Sequence, residues 1–152
     1  MYRHIGILIC DDSPDDCYLL TMAFRKAGIN AEFESVNSGL RAMEYLLGKG
    51  GFTERRLPSL LILDIKMPGV DGFGVLEWVR TQAGLKSLPV LMLSGSDLTA
   101  DVDRAFDAGC NAYMAKPHSV ERREELVRSI ESFWLRQSRF PSCCGRAGSL
   151  LE

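Results

Sequence analysis

The chain has 152 residues, 46% of them hydrophobic and 25% charged, with a formal net charge of -2. That length suits one domain able to bury about two thirds of its unfolded surface in a single core, without a metal or disulfide to hold it together. The slightly acidic balance, with no concentrated basic face, argues against a nucleic-acid partner, and no apolar run approaches the roughly 18 residues of a membrane span.

Met1-Tyr2-Arg3-His4 runs directly into a short apolar segment with no signal-peptide core, so a cytoplasmic location is expected. Cys10, Cys17, Cys110, Cys143 and Cys144 are odd in number and form no C-x-x-C pair, which reads as reduced, incidental thiols. His4 and His118 have no spacing that points to catalysis or metal.

Ile5 to Cys10 is short, apolar and β-rich, and Asp11-Asp12-Ser13-Pro14-Asp15-Asp16 follows at once. A strand gives way to a helix start: Ser13 suits the N-cap, Pro14 the first helical position, and Asp15 and Asp16 the positive end of the helix dipole. Asp11 and Asp12 precede that cap, and capping does not account for them. The helix is expected to run to about Ala27, with Leu19, Leu20, Ala23, Phe24 and Ala27 as its apolar face and Gly28 as its stop. Residues 31–36 alternate like a more exposed strand. Ser38 then caps a second helix with the stripe Leu40, Met43, Leu46 and Leu47. Residues 48–58 form a flexible, basic loop, read more as a tolerated surface insertion than as a functional one.

Leu60-Leu61-Ile62-Leu63 is a continuous apolar run ending at Asp64, the pattern of a central parallel strand covered on both faces. Pro68-Gly69 and Asp71-Gly72 supply turn signals beyond it. Standing alone, Asp64 is better explained as a solubilising carboxylate at a strand end. Phe73, Leu76 and Val79 mark a third helix. Leu88 to Ser94 is another apolar strand, and Val102, Ala105 and Phe106, closed by Gly109, mark a fourth helix. Asn111 to Lys116 is a fifth strand ending at Pro117. The last helix is expected from Val120 to about Gln137, with Leu126, Ile130, Phe133 and Trp134 on one face and Glu124 and Arg128 spaced for an i,i+4 pair. Five strand-helix units imply an α/β domain over residues 1–137 with a parallel sheet and helices on both faces, followed by a flexible tail over 138–152.

Asp11, Asp12, Asp64, Ser94 and Lys116 then fall at the carboxyl ends of strands one, three, four and five, on the rim where open α/β sheets bind ligands. Crowded carboxylates repel one another and call for a cation. All-oxygen ligation selects Mg2+ or a similar hard ion such as Mn2+. With a hydroxyl and an ammonium placed for the oxygens of an anion, the set reads as a phosphoryl-transfer site with Asp64 as nucleophile. Each supporting residue has a plainer reading: Ser94 capping the following loop, Lys116 a solvated strand-end charge, Tyr113 half-buried packing. Lys116-Pro117 is either a cis peptide that aims the lysine inward or the commoner trans bond.

The joint placement resembles the receiver domains of two-component response regulators over about residues 5–136. The matching residues are Asp11-Asp12, Asp64 with Met67-Pro68-Gly69 and Asp71-Gly72, Ser94-Gly95 and Lys116-Pro117. The resemblance implies a flavodoxin-like (βα)5 doubly wound fold with strand order 2-1-3-4-5. It implies that Asp64 accepts a phosphoryl group from a sensor histidine kinase, with Mg2+ held by Asp12, Asp64 and the Lys66 carbonyl and Asp11 acting on the metal through water. Ser94 and Tyr113 match the family's switch pair, and Lys116 would bind a phosphoryl oxygen. Lys66, two residues after the nucleophile, is expected to tune the lifetime of the phosphoryl group.

The long loop over 48–58 and the extended last helix look like stand-alone receivers that pair with bacteriophytochrome-type kinases and dimerise through helix 4, strand 5 and helix 5. Such a domain is not an enzyme in its own right, although it assists its own phosphorylation and dephosphorylation. With no output domain attached, it is expected to act on a downstream protein through contacts alone. Two other readings compete. An Asp-nucleophile phosphatase needs a second carboxylate where this chain has Lys66. A pseudo-receiver that binds partners without phosphorylation is disfavoured by the complete residue set.

Overall fold

The computed structural model of the chain describes residues 5–141. Strand and helix alternate: β1 (Gly6–Cys10), α1 (Pro14–Lys26), β2 (Glu32–Val36), α2 (Gly39–Leu47), β3 (Leu60–Leu63), α3 (Gly72–Thr81), β4 (Val90–Ser94), α4 (Thr99–Asp107), β5 (Ala112–Ala115) and α5 (Val120–Ile130). The end of α5 widens into a π-helical segment, Glu131–Gln137. The strands pair in parallel in the order β2-β1-β3-β4-β5, the expected flavodoxin-like topology.

Every residue of β1, β3 and β4 is buried because helices cover both faces, and strand alternation divides the core in two. Leu8, Leu61, Leu63 and Met92 face Ala42, Leu46, Phe73 and Leu76 of α2 and α3, with Ala105 of α4 on the same side. Ile7, Ile9, Ile62 and Leu91 face Leu20 and Phe24 of α1 and Val127 and Ile130 of α5. Each fully buried aliphatic side chain contributes about 1.5–3 kcal/mol relative to exposure. Helix starts are fixed locally: Ser13, Ser38, Asp71 and Ser119 each accept a hydrogen bond from the backbone N–H three residues on.

The apolar stripes differ from expectation in four helices. α1 buries Cys17, Leu20 and Phe24 and leaves Leu19 exposed, so its inward face is rotated from the expected one. Leu40 of α2 and Phe106 of α4 point outward, while Ala42 and Ala105 fill the close contacts with the sheet. On the last helix Trp134 is buried and Phe133 exposed. There the backbone bonds widen, with the Ser138 N–H reaching the Phe133 carbonyl five residues back, which shifts the angular spacing of the side chains. Glu124 pairs with Lys26 of α1 at 3.1 Å across the helix interface rather than forming the expected pair with Arg128.

The loop between α2 and β3 is packed. Arg55 is buried, and its guanidinium donates to the carbonyls of Tyr45 and Leu46 at 2.7 Å each, closing the C-terminal end of α2 where Gly48 takes up a left-handed conformation. Phe52 stacks edge-on against Tyr45 beneath the Arg41 guanidinium. Within the loop expected to be a flexible, basic insertion, one basic residue, Arg55, is therefore a buried helix-capping group. Phe140, near the end of the described residues, packs against both halves of the core. Residues 1–4 and 142–152, including His4, Cys143 and Cys144, lie outside the described residues.

Candidate functional site

Register assembles the site. Cys10 pairs with Leu63 and Ser94 with Ala115, and the ladder continues past the strand ends. The Asp64 N–H donates to the Cys10 carbonyl and the Lys116 N–H to the Ser94 carbonyl, each at 2.9 Å. Asp11 and Asp64 thus leave adjacent strands side by side, and Ser94 and Lys116 do the same one position over. β1 and β3 are also where the strand order reverses direction, the place where such sheets open a crevice. Close packing holds the Asp64 turn in place: a Cβ at Gly72 would collide with the Asp64 carbonyl oxygen and the Ile65 backbone.

Carboxylate oxygens of Asp11, Asp12 and Asp64 lie within 4.8 Å of one another, with Asp11 and Asp64 buried and Asp12 exposed. This donor set fits a hard divalent cation: all oxygen, anionic, and open to solvent on the Asp12 side for the waters such an ion retains. Lys116 reaches into the same cluster. Its ammonium lies 2.7 Å from Asp11 Oδ2, 2.9 Å from Asp16 Oδ2 and 3.3 Å from Asp64 Oδ2, one carboxylate for each of its three donors. Lys116-Pro117 is trans, as no cis bond occurs among the described residues.

Burial pushes the Asp64 carboxyl above its ordinary value; the Lys116 charge opposes the rise and the Asp11 charge adds to it. For Lys116, burial favours the neutral amine, but hydrogen bonds to Asp11 and Asp16 and the Asp64 charge outweigh it and lift the ammonium above its ordinary value. Cys10 and Cys17 lie beneath the rim, and burial pushes their thiols up to about 12 and about 11. Both are free, as is Cys110, and at neutral pH they are un-ionised packing groups.

Ser94 is buried beneath the same rim. Its Oγ accepts from the Ser96 N–H at 3.1 Å, so it does cap the loop that follows, but that bond uses a lone pair and not the hydroxyl proton. The Tyr113 hydroxyl donates to the Ser96 carbonyl at 2.7 Å, and Ser96 Oγ donates to Asp101 Oδ2 at 2.6 Å. Ser96 is therefore the junction between β4, β5 and α4. The side chains of Lys66 and His118 are exposed.

Sequence reasoning missed Asp16, Ser96 and Arg123, which lines the cleft beside Asp64 with Asp16, Lys116 and Pro117. Asp16 was hidden because its place in the first turn of α1 is fully explained by the helix dipole. Ser96 and Arg123 carry no signal until the β4–α4 loop and α5 are folded over the rim.

Residues 7–131 match the family model of the response regulator receiver domain. The chain is 34% identical over 136 residues to the probable methanogenesis regulatory protein FilR2 of Methanothrix harundinacea, covering 89% of this chain and 86% of that protein. It is 31% identical over 136 residues to response regulator Rcp1 of Synechocystis, covering 90% and 92%, and the Mn2+-bound crystal structure of Rcp1 superposes with a TM-score of 0.83. The phosphorylated cyanobacterial phytochrome response regulator RcpA superposes with a TM-score of 0.85 at 31% identity, covering 91% of this chain and 99% of that one.

Proposed function

The chain belongs to the response regulator receiver domain family of two-component systems, and from that premise we propose that Asp64 accepts a phosphoryl group from a sensor histidine kinase of the bacteriophytochrome type and signals in the cytoplasm through protein contacts. The observation that carries this reading is the convergence of Lys116 and the acidic cluster on Asp64 at the β1/β3 reversal.

In the transfer, one Asp64 carboxylate oxygen forms a bond to phosphorus as the phosphorus–nitrogen bond of a phosphohistidine breaks, and the imidazole leaves with its electron pair. Burial raises the basicity of the attacking oxygen. A divalent cation, Mg2+ or Mn2+, supplies charge neutralisation for the oxygens of the transferring group. Asp11, Asp12, Asp64 and the Lys66 backbone carbonyl would hold it; the clustering of the three carboxylates and the Mn2+-bound form of the similar regulator Rcp1 support a divalent cation here. Lys116 directs its ammonium at a phosphoryl oxygen once the Asp64 oxygen it now faces is phosphorylated. Ser94 offers its hydroxyl proton to another.

The new group adds roughly -1.5 to -2 charge at the rim. That charge shifts a two-state equilibrium only through contacts made better in one state, here those of Ser94 and Lys116. Because Ser94 and Tyr113 both bond to Ser96, movement of Ser94 is felt at the face formed by α4, β5 and α5. Leu98 at the start of α4, Phe106 in α4 and Val120 at the start of α5 are exposed apolar side chains, which supports assembly of a homodimer and docking of a downstream protein through these elements. The domain takes part in its own phosphorylation and dephosphorylation without turning over a separate substrate.

Incubation with Mg2+ and a small-molecule phosphodonor, followed by intact-mass measurement, tests the proposal. One added phosphoryl group, absent in Asp64→Asn and in EDTA, is expected. No adduct under these conditions would favour a phosphorylation-independent interaction module, and steady turnover of phosphoesters would favour a phosphatase.

A further inference from the structure

We propose that Asp16 is a positioning residue for Lys116: it keeps the ammonium at the rim when a divalent cation draws the Asp11 carboxylate away. The inference rests on the phosphoryl-acceptor reading of Asp64 and adds a residue to that site.

A lysine ammonium has three N–H donors, and Lys116 Nζ faces three carboxylate oxygens, those of Asp11, Asp16 and Asp64. Two of those three partners change when the site is loaded. Asp64 is consumed, because the oxygen bonded to phosphorus in the acyl phosphate is a poor acceptor, and its donor passes to a phosphoryl oxygen. Asp11 belongs to the acidic cluster that fits a divalent cation, and a carboxylate polarised by a cation holds an ammonium less strongly. Asp16 is not in that cluster. It stands on the first turn of α1, one turn beyond Asp12, with its side chain 45% exposed against 7% for Asp11, so it pairs with Lys116 from the more solvent-exposed side of the site. Without Asp16, Lys116 would have only the phosphoryl oxygen and a weakened Asp11, and its long side chain would regain rotamer freedom.

Asp16 needs no such role to stabilise α1. An acidic residue there already favours the helix dipole, and Ser13 already caps the helix through the Asp16 N–H, a bond that any side chain at position 16 would retain. The carboxylate pairing is therefore separable from the helix start.

The test uses the full chain with saturating Mg2+ and beryllofluoride, whose beryllium bonds an Asp64 carboxylate oxygen while its fluorines stand for phosphoryl oxygens. Asp16→Asn is expected to weaken beryllofluoride binding about tenfold, the loss of one charge-assisted hydrogen bond, and Asp16→Glu to restore part of it. In a Lys116→Ala background the Asp16→Asn change is expected to have no effect, because the partner it acts through is gone. A dipole or folding role would show equally in both backgrounds, and that result would overturn the proposal. So would equal affinity of wild type and Asp16→Asn. If the wild type itself forms no beryllofluoride adduct and takes up no phosphoryl group, the acceptor reading of Asp64 fails first, and the two failures are told apart by that control.

Discussion

The Tyr113 hydroxyl and the Ser94 hydroxyl are linked through one residue: Tyr113 donates to the Ser96 carbonyl at 2.7 Å, and the Ser96 N–H donates to Ser94 Oγ at 3.1 Å. The side chain expected to sense the phosphoryl group and the side chain expected to report it are thus two hydrogen bonds apart. Removing the phenol while keeping the ring isolates that link. Tyr113→Phe should lower stability by about 1 kcal/mol, roughly 2–4 °C in melting temperature for a domain of this size, and speed amide exchange over residues 95–98. Phosphoryl uptake by Asp64 should persist. An unchanged melting temperature and exchange profile would mean that the bond contributes nothing in solution.

Asp64 carries a pH signature. Its folded-state pKa lies above the ordinary value because burial disfavours the charged form. A folded value above the unfolded one means that the folded chain holds the proton more tightly. Its ionisation therefore costs stability above the folded pKa, and the cost is relieved as pH falls through that value. In EDTA at neutral pH, Asp64→Asn should raise the melting temperature, and the gain should shrink on acidification as the wild-type carboxyl takes up its proton. A gain that grows at low pH would contradict the assignment.

Metal binding should be visible as stabilisation. A ligand at about 100 times its dissociation constant stabilises by about 2.7 kcal/mol, roughly 5–10 °C here. Mg2+ or Mn2+ should produce such a shift in the wild type, and EDTA should reverse it. Asp12→Asn should remove most of it, because Asp12 is the exposed member of the carboxylate cluster. Persistence of the full shift in Asp12→Asn would place the cation elsewhere.

Arg55 separates stability from signalling. Arg55→Ala removes two short bonds to the end of α2 and should cost about 2 kcal/mol, measured by urea unfolding, with the initial rate of phosphoryl uptake unchanged. A stability loss near zero would return this loop to the tolerated insertion that its composition resembles.

Assembly can be read by light scattering. The chain with Mg2+ and beryllofluoride should form a concentration-dependent dimer, and Phe106→Asp, which places a charge on an exposed apolar position of α4, should remain monomeric while still forming the adduct. A wild type that stays monomeric at high concentration with and without the mimic would rule this face out as the dimer interface.

The sequence by itself determined the order of elements, the parallel sheet and the rim on which the polar strand ends meet. Those follow from local facts: uninterrupted apolar runs such as Leu60 to Leu63 need cover on both faces, and Ser13, Ser38 and Asp71 start helices through bonds within a few residues. It also picked out Asp11, Asp12, Asp64, Ser94 and Lys116 as one constellation, to which the family resemblance added Tyr113.

Only the tertiary structure decided which charges meet. Asp16 and Arg55 had sufficient local explanations, one as a dipole partner and the other as one basic residue of a surface loop, so nothing in the chain asked for more. Their contacts depend on distances between elements far apart in sequence, or between a helix end and a folded-back loop. Helix rotation was undecided for the same reason: Leu19, Phe106 and Phe133 are apolar enough to face inward, yet the core takes Cys17 in place of Leu19 and, of the expected inward pairs Ala105–Phe106 and Phe133–Trp134, only Ala105 and Trp134, because shape and backbone geometry, not hydrophobicity alone, settle which side chain fits. The same holds for Lys116. A lysine at a strand end carries no mark of its partners, and only the fold gives each of its three donors a carboxylate.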